Sequence, residues 1–189
     1  MRMRYSISSL LIAILCTWSP VPETEFALAG VTPAQANIDA ALTAVTVEPA
    51  SRDRSVYPLP RSLTPLLPLW QGALEDAVRR QGIFRPGAAR RVSLVVKVLE
   101  FSLSGNILSV FARYQLFNAP AGDPVFSADV MSNVGLSGLA TGVTSLDDPA
   151  VATQNRTQVI RAIQDNITQF VDQLAAFARQ PPGGTPPRL

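Results

Sequence analysis

The chain has 189 residues and a formal net charge of +2, with sixteen basic side chains against fourteen acidic ones. It contains no histidine and a single cysteine, Cys16. The commonest general acid/base and metal ligand is therefore missing, and with it zinc sites of the Cys/His kind and Ser-His-Asp or Cys-His nucleophile systems.

Residues 1–29 read as a signal peptide. Arg2 and Arg4 precede an uncharged apolar run, Tyr5 to Trp18, of fourteen residues. That run is short for a membrane-spanning helix, which needs about 20 apolar residues. Ala27 and Ala29 supply small residues for cleavage after Ala29, behind a long stretch that carries Glu23 and Glu25. Two alternatives stay open, an uncleaved N-terminal anchor and lipidation at Cys16, although Leu15 fits poorly before a lipidated cysteine. Beyond residue 29 there is no thiol for a disulfide framework, and the length suits one domain.

Residues 30–40 form a polar, Ala-rich lead-in, expected to be flexible. Ala41 to Glu48 alternates and is expected as a strand, followed by a loop over Arg52–Pro60 marked by charge and proline. Leu67 to Gln81 reads as a helix: Leu67, Trp70, Leu74, Ala77 and Val78 recur at spacings of three and four. Pro65 and Pro68 mark its beginning, and Gly82 stands where a left-handed cap is wanted. Three strands follow. Val92–Phe101 and Leu108–Phe117 are joined by the turn Ser102–Asn106, and Val125–Val134 follows the turn Asn118–Pro124. Such short connections make antiparallel pairs.

Gly135–Ser145 is small-residue-rich and expected to be a mobile loop. Asp148 to Arg179 is expected as a long helix of roughly 48 Å, capped by Asp147 or Asp148, with Pro149 in its first turn. Its apolar stripe runs through Val159, Ile160, Ile163, Ile167, Phe170, Val171, Leu174 and Phe177. Residues 180–189 are a Pro/Gly tail expected to be disordered. The predicted fold is α+β: a two-layer sandwich in the order β-α-β-β-β-α, with a mostly antiparallel four-stranded sheet and two helices on one face. A single domain is expected over residues 41–179.

Catalytic candidates are few. Glu75-Asp76 falls on the polar face of the first helix and Asp147-Asp148 on a cap. Glu100 and Asp129 lie on strands and are the one carboxylate pair that could serve a hydrolase or a small-ligand carrier. The glycines at 135, 138 and 142 lack phosphate-loop spacing. Asn155-Arg156-Thr157 and Asn166-Ile167-Thr168 match the glycosylation pattern on a predicted helix, which reads as coincidence. No catalytic residue, metal or cofactor is expected.

The uneven feature is charge. Arg52, Arg54, Arg61, Arg79, Arg80, Arg85, Arg90 and Arg91 stand against Asp53, Glu75 and Asp76, a local excess of five. Of these, Arg79, Arg80, Arg85, Arg90 and Arg91 are taken as one part of a candidate interaction surface for an acidic partner or anionic headgroups, with scattered solvated charge as the plainer reading. Phe101, Phe111 and Phe117 are taken as the other part, on the sheet face away from the helices. Nucleic acid is not expected, because this stretch has no set of stacking aromatics.

The helix carrying Trp70, the strands VSLVVKVLEF and LSVFARYQLF and the terminal helix VIRAIQDNITQFVDQLAAF resemble the small periplasmic domains of ABC-type transport auxiliary lipoproteins. They are similar also to the lipopolysaccharide-assembly lipoprotein. The likeness is one of layout over residues 40–177, with no diagnostic motif. It implies an exported, periplasmic accessory module that works beside an envelope transport machine and is not an enzyme. The implied partner is an envelope protein complex or a membrane lipid. No binding residue carries over from the families, and no oligomeric state is implied. The sequence departs from those lipidated proteins at Leu15.

Overall fold

The computed structural model describes residues 26, 28–50, 59, 61–119, 121–136 and 153–180. Strand β1 is Ala41–Pro49, helix α1 Leu67–Gln81, β2 Arg91–Ser104, β3 Ile107–Ala119, β4 Pro124–Gly135 and α2 Arg156–Ala178. The strands form one sheet in sequence order. β1 pairs with β2 in parallel, and β2–β3 and β3–β4 are antiparallel. The parallel pair follows from connectivity: a helix lies between β1 and β2, whereas two loop residues, Gly105 and Asn106, join β2 to β3. Gly105 supplies the positive φ of 59° that this tight hairpin needs.

A short 3-10 helix, Arg61–Leu66, leads into α1 and contains Pro65. The helical path thus begins six residues, about two 3-10 turns, before Leu67. Proline is accommodated there because the first N–H groups of a helix have no intrahelical acceptor. Trp70, Leu74, Ala77 and Val78 of the predicted stripe are buried. Gly82 closes α1 in the left-handed region, φ 64°, and its N–H donates to the carbonyls of Val78 and Arg79. α2 buries Val159, Ile160, Ile163, Ile167, Phe170, Val171 and Leu174, also as the periodicity predicts. Its cap residue is Asn155. The expected start at Asp148, with Asp147 and Pro149, lies outside the described residues, as do residues 137–145 of the glycine-rich loop and residues 181–189 of the tail.

Both helices cover the same face of the sheet, α1 packing on β1 and α2 on β3 and β4. That face carries Val45 and Val47; Val92, Leu94, Val96 and Val98; Leu108, Val110, Ala112, Tyr114 and Leu116; and Ala128 and Val130, all buried. Phe170 of α2 stacks on Tyr114 with ring centroids 4.1 Å apart.

Two stretches before β1 are more tightly held than the sequence reading has them. Residues 30–40 run beside the segment that follows α1. The Ala34 N–H donates to the Gln81 carbonyl at 2.8 Å, the Ile38 N–H to the Ile83 carbonyl at 2.7 Å, and Ile38 and Phe84 form a parallel bridge. Upstream, Phe26 and Leu28 are only 2% and 6% exposed and belong to the hydrophobic core.

The register shifts once in the middle of β2. Val98 is opposite Ala112, but Glu100 is opposite Phe111 and Phe101 opposite Val110, so Leu99 is the extra residue of a β-bulge. A one-residue insertion exchanges the faces of everything beyond it. This corrects the expectation for Phe101. Period-two counting from Val98 puts it on the outer face, whereas the bulge turns it into the core at 4% exposure.

Candidate interaction surface

The five arginines taken as candidates do not form one patch. Arg80 is committed to the fold. Its Nε pairs with Asp76 at 2.7 Å, one helical turn back, and its Nη2 donates to the Leu28 carbonyl at 2.7 Å. Arg90 Nε donates to Asn118 Oδ1 at 2.9 Å, fastening the start of β2 to the end of β3. Arg91 opens β2, exposed, between Ala41 and Ala119.

Arg79 and Arg85 meet at a groove of about 580 Å³ beside β1. The groove runs between Ala41–Val45 of β1 and the second half of α1, and Leu42, Val78 and Phe84 contribute apolar wall. Among the described residues β1 is an edge strand, with a strand neighbour on one side only. Backbone N–H and C=O groups directed away from β2 therefore have no strand partner, the condition under which an edge accepts an added strand. Arg85 Nη1 is 3.1 Å from Asp39 Oδ1, and Glu75 Oε1 accepts a hydrogen bond from Gln71 Nε2 at 3.0 Å. The guanidinium of Arg79 has no partner among the described residues.

The sheet face away from the helices is built in rows. The register sets Glu48, Lys97, Arg113 and Asp129 side by side across all four strands. Lys97 Nζ lies 3.6 Å from Glu48 Oε1, and Arg113 grips Asp129 with two bonds, 2.6 and 2.7 Å. The hydrogen bond to Asp129 raises the Arg113 pKa further above its ordinary range, with burial opposing. The next row is Glu100, Phe111 and Met131. Among the described residues Met131 and, at the hairpin end, Ile107 are the exposed large apolar residues, 52% and 48%. Phe111 and Phe117 lie half-buried on this face.

Glu100 and Asp129 do not converge. They sit on β2 and β4 with β3 between, Ser102 Oγ donates to Glu100, and Asp129 is taken up by Arg113. Among the described residues no group of acidic, histidine or cysteine side chains has the arrangement of a metal site.

One polar cluster, which the sequence reading did not single out, lies on the inner face. Asn166 of α2, fully buried, accepts from the Tyr114 hydroxyl at 2.8 Å. It donates from Nδ2 to the carbonyls of Val110 and Val130 at 3.2 and 3.1 Å. Ser132 Oγ donates to the Ala162 carbonyl at 2.7 Å. Burial pushes the Tyr114 hydroxyl pKa well above its ordinary value, with the Trp70 indole opposing. The Trp70 N–H itself stops short of hydrogen-bond geometry. The signal for this cluster was a single asparagine between Ile163 and Phe170 on the apolar stripe. That placement makes Asn166 a clamp between helix and sheet.

No family model matches this chain. No curated protein matches it either. Solved structures do. A PelC dodecamer variant from Paraburkholderia phytofirmans aligns over 79% of this chain and 95% of its own, with 16% identity and a TM-score of 0.46. Protein XCC0632 from Xanthomonas campestris, of the family DUF330, aligns over 77% and 88%, with 16% identity and a TM-score of 0.46. A minor lipoprotein from Acinetobacter baumannii aligns over 71% and 93%, with 14% identity and a TM-score of 0.38. Likeness at this level assigns neither family nor function.

Proposed function

We propose that this chain is a non-enzymatic accessory module of a bacterial cell envelope, exported by its N-terminal segment, and that it binds a protein partner of an envelope transport or assembly complex. The observation that carries the reading is the groove beside β1. A strand edge without a strand partner among the described residues, an apolar wall of Leu42, Val78 and Phe84, and Arg79, whose guanidinium has no partner among those residues, converge there. Those are the features that hold an extended peptide: main-chain bonds to the edge, a side chain in the pocket, and a carboxylate on the arginine. A lipid or glycan partner would use the same arginines without needing the strand edge.

The test is position-dependent crosslinking in intact envelopes. A photoreactive residue at Thr43, in the groove, should yield a defined protein adduct. The same probe at Gln169, exposed on α2, should not. Arg79→Glu should reduce the Thr43 adduct about tenfold, the loss of one charge-assisted bond and its replacement by repulsion. An adduct of equal strength from both positions, or none from either, would overturn the reading.

A further inference from the structure

We infer that the mature protein keeps Phe26 and Leu28, so that any processing on export occurs upstream of Phe26 and the bond between Ala29 and Gly30 stays intact. This rests on the core and is independent of the groove beside β1.

Sequence places both residues in a segment to be discarded, in front of an Ala-x-Ala pattern. The fold uses them. Phe26 is among the largest fully enclosed side chains, in a class with Trp70 and Phe170. Leu28 is tied to α1 and borders α2. Its carbonyl accepts from Arg80 of α1, and it lines surface pockets together with Ile160, Gln164, Thr168 and Val171 of α2. α1 and α2 touch each other less than each touches the sheet; they meet directly where Gln81 Nε2 donates to the Val171 carbonyl at 3.0 Å, and the Arg80–Leu28 bond ties the segment in beside that contact. Removing the segment would take two buried apolar side chains out of the core and leave the Arg80 guanidinium without the Leu28 carbonyl. A leader that is cut away has no reason to complement the core it leaves behind, whereas a retained segment does.

Export the full chain with a C-terminal tag, purify it from the envelope and measure its intact mass and N-terminal peptide. The expected product contains Phe26, Ala27 and Leu28. Ala29→Arg destroys the small-residue cleavage pattern and should change the mass of the product only by the substitution itself. Phe26→Ala should lower the melting temperature of the exported protein by roughly 10 °C, and the milder Leu28→Val by roughly 3 °C. A folded exported protein that begins at Gly30 would overturn the inference. So would an Ala29→Arg chain that accumulates at a higher mass than the unsubstituted product beyond the substitution, or two core variants that melt with the parent.

Discussion

Arg113 and Tyr114 are neighbours in β3 and point to opposite sides of the sheet. Both make polar contacts, and the two contacts differ in kind. Arg113 meets Asp129 in water, each side chain more than two-fifths exposed, at 44% and 43%. Tyr114 meets Asn166 where no water reaches either group. An exposed ion pair exchanges one solvated state for another and contributes little. A buried hydrogen bond contributes modestly while intact, but its loss strands a polar group in an apolar interior. The two faces of the sheet are therefore read by opposite rules. On the inner face a polar residue marks structure that the fold depends on. On the outer face it marks surface free to serve recognition.

Substitutions sharpen that contrast. The largest effect is expected at the aromatic that the bulge turns inward. Phe101→Ala should cost about 3–5 kcal/mol in urea unfolding, while Phe111→Ala, on the other face, should cost about 1 kcal/mol. Equal losses would show that the bulge at Leu99 is absent in solution. Asn166→Ala should cost about 2–4 kcal/mol, because it leaves the buried Tyr114 hydroxyl unsatisfied and removes the bonds from Nδ2 to the Val110 and Val130 carbonyls.

Alkaline pH tests the same cluster. The Tyr114 pKa is raised in the folded state from its ordinary value of 10.0. Above that pH the unfolded chain releases a proton that the folded chain retains. The stabilisation is thus complete below the unfolded value and falls as pH rises past it, by about 1.4 kcal/mol per pH unit. Tyr114→Phe should remove that slope, read as unfolding free energy between pH 9.5 and 11 at about one-half-unit steps. The smallest effect belongs to the outer face. Asp129→Asn should cost about 0.5 kcal/mol at low salt and nothing measurable at about 1 M salt.

Much of the fold was legible from period alone. The four strands and two helices stand where alternation and the three-four spacing put them, because burial on one face is a local pattern that the chain must write into its own sequence. Gly82 was legible as a cap for an equally local reason, the left-handed backbone it alone adopts without cost. The candidate interaction surface was less legible. Five arginines close in sequence separate once folded, since Arg80 and Arg90 find acceptors at Leu28 and Asn118 that are far along the chain. Only Arg79 and Arg85 meet at the groove. Phe101 was placed on the wrong face because a bulge is a property of two paired strands, and nothing in VSLVVKVLEF by itself announces the extra residue.

The sequence by itself determined the chemistry that this protein lacks, since a chain without histidine cannot hold the common catalytic and zinc constellations however it folds. It determined the element order and the apolar faces too, because each is a short-range periodicity. Tertiary structure decided the rest: the parallel pairing of β1 with β2, the direction of Phe101, the clamp at Asn166, and the place of Phe26 and Leu28 in the core. Each of those depends on groups brought together from distant parts of the chain, and a residue's partners across such distances are set by packing that no local pattern records.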